Sequence, residues 1–395
     1  MKRAIVIPAG AADEPIEALD GRTLLAVAQT PHMDWISTNG RQGCVVTIPE
    51  GVPPGSDVAL LSLFGYDPRV ETVRYGPLEA AARGLAIPPD RLVFRCNFVT
   101  VTEGAMEDFT AGHISQIEAD RLLADLNEHV ADERCNFFGC TSFRALMVAS
   151  GLEGMGPRCT PPHDIPGVPV ASHMPRGVGS KWVKGIMERA HQILAEHEVN
   201  LVRGDLGENP ATDIWLWGQG RRRRMQLFAD RFGESGVVVA GTDLVCGLAK
   251  SVGLAVVPVS ADAPTCEDAC AASGAASVAA VDDHELVIVH IENADDAGHA
   301  GDAGAKLAAI EKIDEHIVGP LLERLRSHDQ WKILVVPDHP TPVGRRIHTA
   351  NPAPFCMAGH RIQTVLNRPF SEANAAMSDL HVDPGHELME FFLRA

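Results

Sequence analysis

Long apolar runs are missing from this 395-residue chain. No stretch approaches the roughly 20 residues that cross a bilayer, and Met1-Lys2-Arg3 leads into a short strand-like run without an apolar signal segment, so a cytoplasmic protein is expected. Positive charge is scarce as well: 34 Lys and Arg stand against 52 Asp and Glu, a formal net charge of −18. Nucleic acid and anionic membranes are bound by exchanging counterions for a basic surface, so neither is an expected partner. A small anionic substrate must be drawn by a local group of cations instead. There is no Cys-x-x-Cys pair among the nine cysteines, an odd number set mostly in apolar runs, as expected of reduced core thiols. Cys266 and Cys270 have the spacing of one helix face but no histidine beside them, which reads as buried thiols, not a zinc site. Internal repeats and low-complexity linkers are absent, and no P-loop or kinase glycine-rich motif is visible, which counts against nucleotide use. Nothing in the sequence specifies an oligomeric state.

What is present reads as a large globular α/β protein. Arg3 to Ile7 is a short apolar run ending at Pro8-Ala9-Gly10, the pattern of a buried central strand that opens into a loop. Thr30-Pro31 starts a helix with Thr30 as its cap, and Gln42 to Ile48 reads as a second strand. From about Ile87 the texture changes. Arg91 to Thr102 and Met106 to Thr110 read as antiparallel strands around Gly104, and helical patterns follow from Gln116 to Val130 and from Ser180 to His197. From Gly236 onward, strands (Val237 to Ala240, Ala255 to Val259, Leu286 to Ile291, Ile333 to Val336) alternate with helices, the texture of a parallel sheet. The expected organisation is a parallel-sheet core made of residues 1–86 and 210–395, interrupted by an inserted α+β cap of residues 87–209.

One stretch stands out chemically. In Pro53-Pro54-Gly55-Ser56-Asp57, turn formers run into a single hydroxyl, and the apolar run Val58 to Leu63 follows at once. This presents a serine at a helix N-terminus, where free N–H groups favour an anion. Ser56 is therefore the candidate nucleophile; the alternative is that it caps the helix, as serines before apolar runs commonly do. Far downstream, Asp295 and His299 follow one strand-like run, Asp338 and His339 follow another, and His348 comes soon after. Strand ends are where open α/β sheets bind ligands, and carboxylate with imidazole is a donor set for Mn, Zn or Mg. Two such clusters joined to an upstream Ser-Asp turn point to a two-metal phosphoryl-transfer site. For the anionic substrate the candidates are Arg74, Arg95 and His113. The run Arg221 to Arg224 reads as a solvated loop, and Trp215 and Trp217 as core.

These motifs, with Gly76-Pro77-Leu78-Glu79-Ala80, Arg95-Cys96-Asn97 and the last helix, resemble the cofactor-independent phosphoglycerate mutases of archaeal type, in the alkaline phosphatase superfamily. The resemblance spans nearly the whole chain. Ala12-Asp13-Glu14-Pro15, Ala111 to Ser115, Thr160 to Gly167 and Trp215 to Gly220 look most like a bacterial branch proposed to act as homoserine kinase. The resemblance implies an alkaline-phosphatase-like core and one or two divalent ions per chain. One ion would be held by Asp295, His299 and His348, the other by Asp338, His339 and Ser56. It also implies interconversion of 3- and 2-phosphoglycerate through phospho-Ser56, with kinase-like transfer to homoserine or an impaired, metabolite-binding homologue as the alternatives. Three departures motivate the last of these: the family places a ligand Asp where this chain has Ala9, a lysine where it has Cys246, and an arginine where it has Tyr75. With Ala9 the second ion loses a carboxylate, so a weakened second position is expected.

Overall fold

The computed structural model describes residues 1–395 apart from 72, 153, 155, 261 and 262. In chain order the strands are β1 (Lys2–Pro8), β2 (Arg41–Val45), β3 (Leu92–Thr102), β4 (Ala105–Asp108), β5 (Cys135–Gly139), β6 (Arg144–Ala149), β7 (Asp213–Arg221), β8 (Val237–Ala240), β9 (Ala255–Pro258), β10 (Leu286–Ile291), β11 (Trp331–Val335), β12 (Ala353–Gly359) and β13 (His381–Val382). The chain divides into two compact units, one of residues 1–72 and 225–395, the other of residues 73–224.

The first unit is built on a sheet of order β13-β2-β12-β11-β1-β10-β8-β9. Strands β11, β1, β10, β8 and the edge strand β9 are all parallel, while β12 runs antiparallel to both β11 and β2. A parallel strand buried on both faces needs apolar residues at successive positions; β1 meets that demand from Ala4 onward, and β10 meets it at every residue except His290. Ala4, Val6, Val287, Val289, Ile291, Ile333 and Val335 face one way, into a core shared with Ile310, Ile313, Ile317, Leu321 and Leu325 of the helical stretch downstream of Asp302. Period-two alternation sends Ile5, Ile7, Ile288 and His290 to the other face.

The second unit is an antiparallel sheet in which β3 pairs with β4, β6 and β7, and β5 pairs with β6. Helices Gln116–His129 and Ser180–Ala195 supply Leu122, Leu126, Val183, Ile186 and Leu194 to its core, where Trp215 and Trp217 are buried as expected. Its limits lie outside the expected 87–209. Helix Tyr75–Ala82 packs on β3 and β7, and β7 itself pairs with β3 along most of its length, so both belong to this unit. Gly76 is what lets that helix come close: a Cβ there would sit 2.6 Å from the carbonyl oxygen of Val93. Among the described residues no helix is long and apolar enough to cross a membrane.

Candidate active site and metal centre

Helix Ser56–Leu63 starts one residue earlier than a serine cap at position 56 would require. Gly55, in extended backbone, is the residue before the first turn, its carbonyl accepts from the N–H groups of Val58 and Ala59, and Ser56 is the first helical residue. The hydroxyl is thus not used as a cap. It lies 3.1 Å from Nε2 of His339, within hydrogen-bond distance. His339 is fully enclosed; its Nδ1 is 3.2 Å from Thr341 Oγ1, and its backbone N–H donates to Asp338 Oδ1. Gly10 N–H donates to the same oxygen at 3.0 Å, so the loop after β1 and the loop after β11 are tied through one carboxylate. The other oxygen, Asp338 Oδ2, is buried with no hydrogen-bond partner among the described residues, 3.3 Å from His339 Nε2.

Beside this group stands a second. Asp295 and His299 sit one turn apart on helix Asn293–Ala300, which follows β10, and their side chains approach to 3.5 Å. His348 Nε2 lies 3.5 Å from Asp295 and 2.9 Å from His299 Nε2, and its ring stacks at 3.9 Å against that of His339. The ligand atoms of Asp295, His299 and His348 all lie within 4.8 Å of one another. Gly10 makes room for Asp295. With φ of +63° it occupies a backbone region that favours glycine, and a Cβ there would lie 2.4 Å from Asp295 Oδ1.

Charge is set by burial and by these pairings. Burial works against the Asp295 carboxylate, yet His348 and His299 beside it hold it well below the usual carboxylate range. Burial likewise opposes the charged His299 ring, but Asp295 lifts it to about 9. Enclosure pushes His339 down to about 4 and lowers His348, while it raises Asp338. Neutral imidazoles keep a lone pair available for a cation. An orphaned, enclosed carboxylate oxygen beside converging carboxylate and imidazole donors is a set that fits divalent ions.

The substrate candidates Arg74, Arg95 and His113 belong to the second unit. Arg95 is held by Glu79 at 3.2 Å, and its guanidinium lies over Trp217 and Tyr75. The Tyr75 ring lies beside the Arg95 guanidinium, 4.9 Å from the ring of Trp217. Arg74 precedes helix Tyr75–Ala82 and runs along Gly220. His113 is exposed, in left-handed backbone, with its ring edge-on to Phe143. Cys246 is a buried thiol on helix Asp243–Ser251. Ala9 is buried at the end of β1, its N–H donating to Ile291. Sequence reasoning missed three residues here: Thr341, which joins His339 to Asp295; Lys306, fully buried behind the loops; and His290, the one polar side chain in the β10 run. Of these, only the polar break in an apolar strand was a readable signal.

The sequence profile for 2,3-bisphosphoglycerate-independent phosphoglycerate mutase matches residues 37–200. The chain is 41% identical to the enzyme of that name from Methanosarcina acetivorans over 90% of each chain, and 40% identical to that of Methanothrix thermoacetophila over the full length of both. A probable enzyme of the same name from Geobacter sulfurreducens is 37% identical over both full lengths. Among solved structures, a protein of Pyrococcus horikoshii superposes with a TM-score of 0.79 at 25% identity, covering 100% of this chain and 96% of that one. The cofactor-independent phosphoglycerate mutase of Thermoplasma acidophilum superposes with a TM-score of 0.58 at 23% identity, covering 100% and 99%, a likeness of fold. Fold and site together define an enzyme of the isomerase and phosphotransfer kind. The chain belongs to the family of 2,3-bisphosphoglycerate-independent phosphoglycerate mutases.

Proposed function

We propose that this protein interconverts 3- and 2-phosphoglycerate, with Ser56 as the transient carrier of the phosphoryl group. The observation that supports the reading best is the approach of Ser56 Oγ to His339, which brings a hydroxyl from the start of one helix against the carboxylate and imidazole cluster after β11. Ser56 Oγ forms a bond to phosphorus as the bond from phosphorus to the glycerate oxygen breaks. The proton given up by the serine returns to that glycerate oxygen, and the reverse steps through the other hydroxyl leave only the phosphoryl position changed. The N-terminus of this helix adds a dipole that favours the phosphoryl oxygens. Asp295, His299 and His348 would hold one divalent ion, of Mn, Zn or Mg, and Asp338, His339 and Ser56 a second. Such ions supply positive charge that favours the deprotonated serine and offsets charge on the transferring group. Arg74, Arg95 and His113 are assigned to the substrate's anionic groups. The nine cysteines are free thiols, which supports a reducing, cytoplasmic setting.

The mutase names of the relatives favour this reading over kinase-like transfer to homoserine. The test is phosphorus NMR of purified protein with manganese and 3-phosphoglycerate, beside a parallel incubation with ATP and homoserine. Appearance of 2-phosphoglycerate only with wild-type protein, not with Ser56→Ala, is expected. Phosphohomoserine without isomerisation, or silence in both with phosphoglycerate binding retained, would overturn the proposal in favour of the kinase or of a metabolite-binding homologue.

A further inference from the structure

A basic run that the proposed activity does not use, Arg221 to Arg224, closes the second unit. Arg221 is the last residue of β7 and pairs with Leu92, the first residue of β3, so Arg91 and Arg222 flank the final pair of that ladder, one on each strand. Arg221 is tied down: its Nη2 donates to the carbonyl of Leu152 at 2.6 Å. Arg222, Arg223 and Arg224 are exposed, and Arg91 is half-buried. Among the described residues, the side chains of Arg91, Arg222, Arg223 and Arg224 make no hydrogen bond and no ion pair with a carboxylate.

Such a group is unexpected in a chain whose 52 Asp and Glu outnumber its 34 Lys and Arg. With acids in excess an exposed arginine has many possible partners, and adjacent guanidinium groups without one repel each other. The second unit is also where the cations gather: it holds half of the chain's Lys and Arg but little more than a third of its Asp and Glu. A local field of one sign draws anions. Arginine takes phosphate oxygens in a two-pronged fork and stays charged, so four of them together offer more donors than a single phosphate can use. A ligand with several phosphoryl groups in a row uses them all. Its length is limited, because the patch is screened beyond about 8 Å and the rest of this acidic chain repels a long polyanion.

We propose that Arg91, Arg222, Arg223 and Arg224 form a binding site for a short polyphosphate chain, whether that chain is a free inorganic one or the tail of a nucleoside triphosphate. No glycine-rich phosphate loop is needed, since the guanidinium forks supply the donors. The site is separate from the arginines assigned to the substrate, although Arg74 runs along Gly220, two residues before Arg222. It stands whether or not the protein is a mutase.

Isothermal titration calorimetry of the full-length protein with sodium triphosphate, inorganic phosphate and ATP, without added divalent ion, tests this. Wild type is expected to bind triphosphate about tenfold or more tighter than phosphate, with an affinity that falls as salt is raised. The triple variant Arg222→Ser/Arg223→Ser/Arg224→Ser should lose about tenfold or more of that affinity, and Arg91→Ser a smaller part. Replacing the same three arginines by lysine should restore part of it, as charge without the fork would. Circular dichroism matched to wild type separates lost binding from misfolding in each variant. Equal affinity for ATP and triphosphate identifies the phosphate chain alone as the ligand, and tighter binding of ATP identifies a nucleoside triphosphate. No binding of triphosphate, a triple variant that binds it like wild type, or tighter binding of a long single-stranded oligonucleotide would overturn the site. A KM for 3-phosphoglycerate that rises in step with the lost triphosphate affinity would overturn it too, by assigning the run to the substrate.

Discussion

The ammonium group of Lys306 lies 2.8 Å from Asp13 Oδ2, and both side chains are enclosed, at 0% and 1% exposure. Its other two hydrogen bonds go to the carbonyl of Ala12 at 3.0 Å and to that of Thr341 at 2.9 Å, so all three N–H donors are used. Burial lowers the affinity of Lys306 for its proton, and Asp13 opposes that shift. One side chain thus clamps the loop after β1 to the loop that carries Asp338 and His339.

Removing it should be severe. Lys306→Met leaves the Asp13 carboxylate enclosed without its cation, a change that costs about 3–5 kcal/mol in buried pairs. Urea denaturation of the two proteins measures it. A loss under about 1 kcal/mol would show that the clamp contributes little beyond its packing.

Deleting one donor of the first cluster should remove that ion alone. His299→Ala is expected to lower the bound manganese of the metal-loaded protein by one ion, because the remaining pair, Asp295 and His348, offers too few donors for a stable shell. Elemental analysis of the dialysed variant checks this, and an unchanged metal content would remove His299 from the ligand set.

Metal affinity should climb with pH. In the metal-free protein His299 keeps its proton up to about pH 9, because Asp295 outweighs the opposing burial. A cation must displace that proton, so apparent affinity for Mn²⁺ rises about tenfold per pH unit between roughly 7 and 9 and flattens above. The same pair has the opposite effect on the metal-free fold. A histidine raised in the folded state adds stability that is fully present below its unfolded value near 6.5 and is lost as pH rises through about 9. Calorimetric titration and thermal melts across that window check both signs; a pH-independent affinity would contradict the pairing.

Intact-mass measurement after rapid quench with 3-phosphoglycerate should show a phosphoryl adduct on wild type and none on Ser56→Ala. The helix keeps Gly55 as its cap, so the variant is expected to fold with a stability within about 0.5 kcal/mol of wild type. An adduct of equal yield on the variant would place the acceptor elsewhere.

Arg74 and Arg95 should separate in their effects. Arg95 is paired to buried Glu79 and stacked on Trp217, so Arg95→Met is expected to lower stability by about 3–5 kcal/mol. Arg74 is only half-buried, at the start of its helix, and Arg74→Ala should raise KM for phosphoglycerate about tenfold or more with the melting temperature nearly unchanged. Equal losses of stability in both would assign Arg74 to structure.

The strands of the first unit were legible because β1, β8, β10 and β11 are short, continuous apolar runs with few competing readings. The ligand clusters were legible because polar residues at strand ends are conspicuous there. Whether Ser56 capped its helix could not be read locally, since the glycine before it serves as cap equally well. Lys306 was invisible for a different reason: a lysine within a helical pattern reads as solvent-facing, and only the folded chain shows the two loops it reaches. His290 was passed over because it is a single polar residue inside the apolar run of β10. The limits of the second unit were misplaced because β7 is an ordinary strand by sequence, and its pairing with distant β3 decides which unit it joins.

The sheet order also fixes a timetable for synthesis. Residues 73–224 form one uninterrupted compact unit, whereas β1 has its partners in β10 and β11, made only after almost the whole chain has emerged. Contacts of such long sequence separation are slow to form, and the first strand is left with both edges unpaired until then. Nascent chains stalled before Leu286 should therefore carry a protease-resistant middle and a protease-sensitive beginning. The cluster of Asp295, His299 and His348 can gather its donors only once that late closure has happened.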